Sequence, residues 1–391
     1  MDKICFALHR FRADKKEAIS KNFVNLVEGL SRKGERVVTY TPTNFITSAK
    51  IEKVFYRPIS HYSSLAESVI NLWLMCRDIN RNHVDYKVIN FHIATPVESF
   101  LLTLFLCQSA SEKTVVSIWQ SYLTFDELKR NFKYFLLNSI KYLHIFIGNS
   151  FACSFLYTLS LKRFHKVIVH CEYQRKQLIV HGVNELILIR NGVFSLEELP
   201  LIVLPPSRVQ SDDFVLLYLG HAKESKGVES LIELAKYLEA SQGLEFTLIL
   251  ALSGFGENKH LYRLVKQSKL EHRVHFKDEV NVVEEMSNAD LLLLPLRTCV
   301  GTSLMPNVII EAMSLGLPVA VPDYPELEDL VSLGENAFEL DLSDISSISR
   351  MILTLSGNRS LLEKVSHSQK VRIRDGMTLD SFVEGYFQSL T

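Results

Sequence analysis

One stretch of the sequence, residues 291–322, combines residue types that bind a phosphate and sugar hydroxyls. It reads LLLLPLRTCVGTSLMPNVIIEAMSLGLPVAVP, and its apolar start and end indicate two buried strands. Between them a Gly/Thr/Ser loop leads to Pro306, which opens a short helix carrying Glu311. Free backbone N–H groups ahead of a helix N-terminus suit a phosphate, and a carboxylate about one and a half turns further on can accept hydrogen bonds from sugar hydroxyls. The stretch therefore predicts a nucleotide pocket of the nucleotide-sugar kind.

Two further glycine-bearing turns follow strand-like runs in the same half of the chain. The first reads GHAKESKG, from Gly220 to Gly227, and places Lys226 just before a helix, where its ammonium group could pair with a diphosphate. The second reads SGFGE and contains Gly254 and Gly256. Either turn alone would also suit an ordinary strand–helix connection with a lysine in solvent. Three such turns in one half of the chain together indicate a phosphate site.

The elements that must position these turns alternate between strand and helix along both halves of the chain. Such alternation with apolar strands predicts an α/β protein with parallel, doubly wound sheets. A proline-containing segment, Leu196 to Asp213, interrupts the pattern and is interpreted as a linker. We therefore predict two Rossmann-like domains facing a central cleft, residues 1–198 and residues 199–375. Ligands in such sheets bind at the carboxyl ends of the strands.

Composition and charge limit the classes of function. The chain has 391 residues, 47% of them apolar and 22% charged, with a net charge of −1, so no overall field attracts it to nucleic acid. The six cysteines are scattered without CxxC or metal-ligand spacing, which favours a reducing compartment, and the N-terminal apolar run is too short for a signal peptide. We expect a cytoplasmic protein.

The segment from Tyr142 to Leu161 carries no Asp, Glu, Lys or Arg and is flanked by basic and aromatic residues. Three interpretations remain open: a buried helix pair, a surface that rests peripherally on the inner face of an anionic membrane, and a membrane-spanning helix.

The second half of the chain resembles the donor-binding domain of the GT-B glycosyltransferases of family 4, the retaining group. The similarity covers nearly the whole chain and is strongest from Val167 to Val331. It is carried by VIVHCEYQRKQL, IRNGV, GHAKESKG, LSGFGENKHL, RVHFKDEV, NADLLLLPLR and MPNVIIEAMSLGLPVAV in that order. The segment from Phe382 to Tyr386 resembles the last helix of the family, which crosses back to the first domain, so a helix at about 376–391 is expected to pack there.

The resemblance implies roles for individual residues. Lys226 would bind the donor diphosphate, Glu311 would hold the ribose hydroxyls, and the turn from Lys277 to Val280 would lie beside the base. The backbone of Gly301 to Leu304 would cradle the phosphate next to the donor sugar. Lys226, loop amides and a helix dipole can stabilise a departing diphosphate without a metal, and the sequence has no Asp-x-Asp. With the turns above, the predicted donor-binding residues are Gly220, Gly254, Gly256, Lys277, Val280, Arg297, Gly301, Thr302, Ser303, Leu304 and Glu311.

The sequence also departs from the family at several positions. Ser303 stands where a glutamate is common, His221 where an arginine is usual, and Trp119 where a histidine is common. Arg10 and Arg12 stand in the loop after the first strand, where the family usually has paired glycines, and their guanidinium groups suit a phosphate or carboxylate. The residues predicted for the acceptor or phosphate side are therefore Arg10, Arg12 and Trp119.

Two other residues are candidates for the site. His92 ends a strand at the expected edge of the cleft, where it could contact the acceptor or the sugar, although a buried structural histidine is the alternative. Arg297 follows the strand before the phosphate loop and could reach a phosphate. The predicted catalytic residues are therefore Lys226, His221 and His92.

The sequence predicts a retaining glycosyltransferase that uses a nucleotide-diphosphate sugar of the UDP or GDP type and a glycan, lipid-linked or small-molecule acceptor, with no cofactor. Two alternatives stay open. The departures at Ser303, His221 and Trp119 would suit a non-catalytic partner subunit that keeps the fold. A nucleotide-sugar epimerase would use the same architecture.

Overall fold

The computed structural model describes most of the chain, and its parallel strands and helices confirm the predicted α/β class. The described residues are 3–12, 17–55, 64–120, 129, 158–183, 185–199, 213–241, 243–252, 258–299 and 303–390. By contacts the chain divides into two compact units. The first comprises Met1–Asn191, Val300–Leu304 and Leu379–Thr391, and the second Gly192–Cys299 and Met305–Thr378.

The described part of the first unit contains a sheet of seven parallel strands in the order β3-β2-β1-β4-β5-β6-β7. Its strands are β1 (Lys3–Ala7), β2 (Arg36–Thr41), β3 (Glu52–Phe55), β4 (Tyr86–Ile93), β5 (Thr114–Ile118), β6 (Lys166–Val169) and β7 (Leu186–Leu188). Its helices include α1 (Ala18–Arg32), α2 (Ser64–Asn82), α3 (Pro96–Phe105), α4 (Gln108–Ser111) and α5 (Glu172–Val180). The central strands are buried on both faces, as expected of a parallel sheet covered by helices.

A helix from the end of the chain completes the first unit. This helix, Leu379–Leu390, buries Phe382, Val383 and Tyr386 against a core that includes α1. It approaches α1 closely because Gly29 has no side chain: a Cβ there would lie 2.5 Å from a methyl carbon of Val383. An ion pair of 2.6 Å between Lys33 and Glu384 borders the same contact.

The described part of the second unit contains a parallel sheet of six strands in the order β10-β9-β8-β11-β12-β13. Its strands are β8 (Phe214–Gly220), β9 (Phe246–Leu252), β10 (Val274–Lys277), β11 (Leu291–Leu293), β12 (Val319–Val321) and β13 (Phe338–Glu339). Its helices are α6 (Val228–Ala240), α7 (Lys259–Gln267), α8 (Val282–Ser287), α9 (Asn307–Leu315), α10 (Ile345–Ser356) and α11 (Arg359–Arg374); the terminal helix Leu379–Leu390 is then α12. The strand order reverses between β8 and β11, and a crevice at that point is where such sheets bind ligands.

Candidate functional site

The turn after β8 begins the site at this reversal point. A single 3-10 turn, Glu224–Lys226, leads through Gly227 into α6. Gly227 adopts φ +68°, in the left-handed region, and a Cβ there would overlap the carbonyl oxygen of Pro295, just beyond β11. Only glycine therefore lets the Lys226 turn pack directly against the end of the neighbouring strand.

Lys226 presents a partly desolvated cation at this edge. The residue as a whole is partly exposed, but burial of its ammonium group lowers its pKa to about 8. The neighbouring Cys299 opposes this effect, and repulsion from Lys223 adds to it. An anion arriving beside this amine would favour the charged form and gain an interaction that water screens less than at an open surface.

The segment that follows β11 is fixed to the Lys226 turn through its backbone. The N–H of Arg297 donates to the carbonyl oxygen of Ser225, the residue before Lys226, at 3.0 Å. Tyr324 donates from its hydroxyl to the carbonyl oxygen of Arg297 at 2.9 Å. Lys226 and Arg297 are thus brought to the same place on the sheet edge, as their positions after β8 and β11 predict.

His221 lies in the same turn. Its carbonyl oxygen accepts a 2.8 Å hydrogen bond from the hydroxyl of Tyr218, whose ring is fully buried. This hydrogen bond joins the backbone of the turn to β8.

Glu311 lies on α9, the helix that follows β11. Pro306 precedes the helix, Asn307 is buried in its first turn, and Glu311 is 7% exposed. The helix ends at Gly316, where φ is +76° and the Lys370 and Ser366 side chains press against the backbone. Glu311 is thus a buried residue on the helix that connects β11 to β12.

Six further residues are predicted from the sequence to bind the donor. Gly254, Gly256, Gly301 and Thr302 are outside the described residues. Ser303 and Leu304 group by contacts with the first unit, and Leu304 is buried.

The turn predicted to lie beside the base follows β10 at the outer edge of the second sheet. Its Lys277 is exposed and forms a 2.6 Å ion pair with Glu285 of α8, and Val280 is partly exposed. Because all strands of this sheet are parallel, the turn lies at the carboxyl ends of the strands, as Lys226 does.

His92 and Trp119 are in the core of the first unit, with 0% and 1% of their surface exposed. The indole N–H of Trp119 donates to Nδ1 of His92 at 3.0 Å, and its ring stacks on His170 at 4.0 Å. The ring of Tyr386, on α12, also stacks with that of His92, with the ring centroids 6.1 Å apart. The structure therefore does not place His92 at an open edge of a cleft. Neither His92 nor Trp119 presents surface to a substrate, because aromatic side chains of β1, α1 and α12 pack around their rings.

Arg10 and Arg12 follow β1, at the reversal point of the first sheet. Arg10 donates from Nε to Ser68 at 3.0 Å and pairs with Glu98 at 2.8 Å. Glu98 also accepts from the backbone N–H of Ala94 at the start of α3, and despite its burial the charges of His9 and Arg10 lower its pKa to about 2. The Arg10 guanidinium is thus held by an internal carboxylate.

Glu229 and His260 join the site although the sequence did not single them out. Glu229 lies in the first turn of α6 and His260 in that of α7, and the two side chains approach to 2.9 Å. In the sequence, Glu229 looks like an ordinary acidic residue at a helix N-terminus. Its pairing depends on the approach of two helix N-termini and leaves no local signal in the sequence.

Neither a metal-binding cluster nor a membrane-spanning helix occurs in the described part of the chain. No group of three or more His, Cys, Asp or Glu side chains there could hold a metal ion. No helix there is long and apolar enough to cross a membrane. The segment Tyr142 to Leu161, apart from its last residues, and most of the predicted linker lie outside the described residues.

Comparison with known proteins agrees with this architecture. Residues 204–372 match the family model described as glycosyl transferases group 1. The capsular polysaccharide biosynthesis glycosyltransferase CapM of Staphylococcus aureus is 24% identical over 255 residues, which are 64% of this chain and 63% of CapM. The aligned part thus spans less than two thirds of that relative.

Solved structures resemble the whole chain in fold. Sucrose-phosphate synthase from Thermosynechococcus elongatus has a TM-score of 0.74 at 15% identity and covers 100% of this chain and 98% of its own. Anabaena HepE in complex with UDP-glucose has a TM-score of 0.69 at 17% identity and covers 99% of each chain. The fold is that of the GT-B glycosyltransferases. Within that class, residues 204–372 are similar to the glycosyl transferases group 1 family.

Proposed function

We propose that this protein transfers a sugar, with retention at the anomeric carbon, from a nucleotide-diphosphate sugar to a glycan, lipid-linked or small-molecule acceptor. The observation that carries the proposal is the hydrogen bond from the Arg297 N–H to the Ser225 carbonyl oxygen. It joins the segments after β8 and β11, so Lys226 and Arg297 bring two cations to the reversal point of one sheet. Two cations at such a point suit the two phosphates of a departing nucleotide.

The remaining donor contacts follow from the same edge of the sheet. Glu311 would accept hydrogen bonds from the ribose, and the turn from Lys277 to Val280 would contact the base. The N-terminus of α9 and the loop before it, Gly301 to Leu304, would stabilise the phosphate. Positive charge and backbone amides can then stabilise the leaving diphosphate while positive charge develops on the sugar, without a metal ion in the proposed reaction.

The relatives indicate which donor and which class of acceptor to test first. HepE was solved with UDP-glucose, which makes UDP-glucose the first donor to test. CapM is described as acting in capsular polysaccharide biosynthesis, which supports a glycan or lipid-linked acceptor. We place the reaction in the cytoplasm, with a peripheral contact to the inner membrane face if the acceptor is a lipid.

Replacement of Lys226 by alanine tests the chemistry. Loss of one charged group at the leaving diphosphate should lower the turnover number about 10²- to 10³-fold. Lys223→Ala is the matched control, because Lys223 is an exposed lysine three residues earlier in the same turn and should leave turnover within about twofold of the parent. Near-parental transfer by Lys226→Ala would remove Lys226 from the mechanism.

Nucleotide binding separates the proposal from its alternatives. In a thermal-shift panel with UDP, GDP, ADP, CDP and dTDP, one nucleotide at about a hundred times its dissociation constant should add about 2.7 kcal/mol of stability. The absence of a shift with all five would favour the non-catalytic partner subunit. Turnover of the nucleotide sugar to an isomer without any acceptor would favour an epimerase.

A further inference from the structure

One carboxylate, that of Glu229, connects the segments that follow three neighbouring strands of the second sheet. Glu229 itself lies in the first turn of α6, after β8. Its Oε1 lies 2.9 Å from Nε2 of His260, in the first turn of α7 after β9. Its Oε2 lies 3.6 Å from Nη2 of Arg297, after β11. These are the segments whose glycine-bearing turns the sequence singles out.

The surroundings of Glu229 show that its second oxygen is directed at Arg297. The side chain is 24% exposed, but Oε2 has almost no contact with solvent and no hydrogen-bond partner among the described atoms. The guanidinium group of Arg297 is its one ionic partner there, just beyond hydrogen-bond length. A buried carboxylate oxygen of this kind attracts the nearest cation strongly, because little water screens the pair.

The backbone of Arg297 is already fixed, so the direction of its side chain is what remains to be set. Its N–H donates to Ser225 and its carbonyl oxygen accepts from Tyr324. An arginine side chain otherwise samples many rotamers, and restricting them in advance lowers the entropy cost of binding an anion. At 3.6 Å the pair also leaves guanidinium N–H groups able to turn to a phosphate.

We infer that Glu229 is a positioning residue that holds the Arg297 guanidinium at the reversal point of the sheet, ready for the donor diphosphate. Glu229 touches no substrate itself and acts through Arg297, while His260 fixes the rotamer of Glu229 from the opposite side. This inference rests on the proposed function, because it assigns Arg297 to the diphosphate of the donor.

Removal of the Glu229 charge should change nucleotide affinity in the direction opposite to the one that simple electrostatics predicts. Removing a negative charge near a diphosphate would by itself tighten binding of the nucleotide. If Glu229 positions Arg297, however, removing the charge releases the guanidinium and weakens binding. Weaker nucleotide binding after removal of the charge therefore indicates that Glu229 positions Arg297, and tighter binding indicates simple repulsion of the diphosphate.

The first experiment uses the full chain and titrates UDP, and GDP in parallel, into the parent and Glu229→Gln by calorimetry. Glutamine keeps an acceptor for His260 and the size of the side chain but loses the charge. For the nucleotide that binds the parent, we expect affinity to fall about fivefold or more. KM for the donor should rise by a similar factor, with little change in kcat. Equal or tighter binding by Glu229→Gln, at an unchanged melting temperature, overturns the inference.

Two further variants show whether the effect comes from Arg297. Glu233→Gln makes the same change in charge one turn further along α6, at an exposed residue paired with Lys236, and should leave affinity unchanged. In an Arg297→Gln background, Glu229→Gln should cause no additional loss, whereas independent effects would multiply and overturn the inference. Lack of binding of either nucleotide to the parent, together with absence of transfer, would instead defeat the proposed function and the inference with it.

Discussion

Tyr386 of α12 donates a 2.9 Å hydrogen bond from its hydroxyl to Oγ of Ser117 in the middle of the first sheet. The two residues are 269 positions apart. Ser117 in turn exchanges hydrogen bonds with Asn90 on the neighbouring strand. The last helix of the chain is therefore joined to a buried polar group of the first unit as well as to its apolar core.

Replacement of Tyr386 by phenylalanine should destabilise the protein. The ring would still fill its place, but the Ser117 hydroxyl would lose a buried partner, which costs about 1–2 kcal/mol. Urea unfolding followed by circular dichroism measures the change. Tyr237→Phe is the control, because that tyrosine is 43% exposed on α6 and its hydroxyl can bond to water. An unchanged urea midpoint for Tyr386→Phe would show that the hydrogen bond adds nothing to stability.

His170 should make the protein less stable in acid. Burial lowers the pKa of His170 to about 4 from its usual 6.5, so the folded protein keeps the ring neutral over a range in which the unfolded chain takes up a proton. The free energy of unfolding should then fall as pH falls from 6.5 to 4, by roughly 3 kcal/mol from this residue. Burial and the neighbouring His170 also lower the pKa of His92, which adds to the fall.

Urea unfolding of the parent and His170→Gln at several pH values between 4 and 7 checks this expectation. The variant should lose less stability per pH unit than the parent. His165→Gln changes an exposed histidine of the same unit and should keep the parental slope. A variant slope equal to that of the parent would mean that His170 does not titrate as its burial requires.

The sequence predicts the apolar strands and amphipathic helices well but misses elements that lack these patterns. Strands β11 and β12 lie in the apolar runs that begin and end residues 291–322, and α9 begins just after Pro306, as the sequence predicts. Strand β3 was missed because it lies at the edge of the first sheet and reads EKVF, with charged residues in place of an apolar run. The helices α10 and α11, beyond the second apolar run of the opening stretch, were also not predicted.

The candidate site likewise contains some residues that a local sequence pattern reveals and others that only the assembled fold brings together. Lys226 could be found because a glycine turn and a following helix surround it in the sequence. The burial of His92 and Trp119 could not be found in this way, since it depends in part on α12, more than 250 residues further along the chain. Glu229 was missed for a related reason: its partners His260 and Arg297 reach it only once β8, β9 and β11 are assembled.

Replacement of Gly227 by alanine should damage the donor turn more than an ordinary glycine substitution. Gly334→Ala is the matched control: Gly334 also has a positive φ, +81°, but a Cβ there would meet nothing within 4 Å. That variant should lose only about 1–2 kcal/mol for the left-handed backbone. Gly227→Ala adds a clash with the Pro295 carbonyl oxygen, so it should lose more stability and no longer show the thermal shift with nucleotide. Parental nucleotide binding by Gly227→Ala would contradict the close approach of the two strand ends.

Donor binding should weaken at alkaline pH because the pKa of Lys226 is lowered to about 8 by burial of its ammonium group. Below pH 8 the amine is charged and attracts the diphosphate, and above pH 8 it loses its proton. UDP itself is almost fully ionised above about pH 7, since the second pKa of a phosphate is near 6. The dissociation constant of UDP, measured by calorimetry from pH 7 to 9.5, should therefore rise above pH 8, at most about tenfold per pH unit. In Lys226→Arg the guanidinium stays charged over the whole range, so binding, although altered in strength, should be nearly independent of pH. The same pH dependence in both proteins would assign the titration to a group other than Lys226.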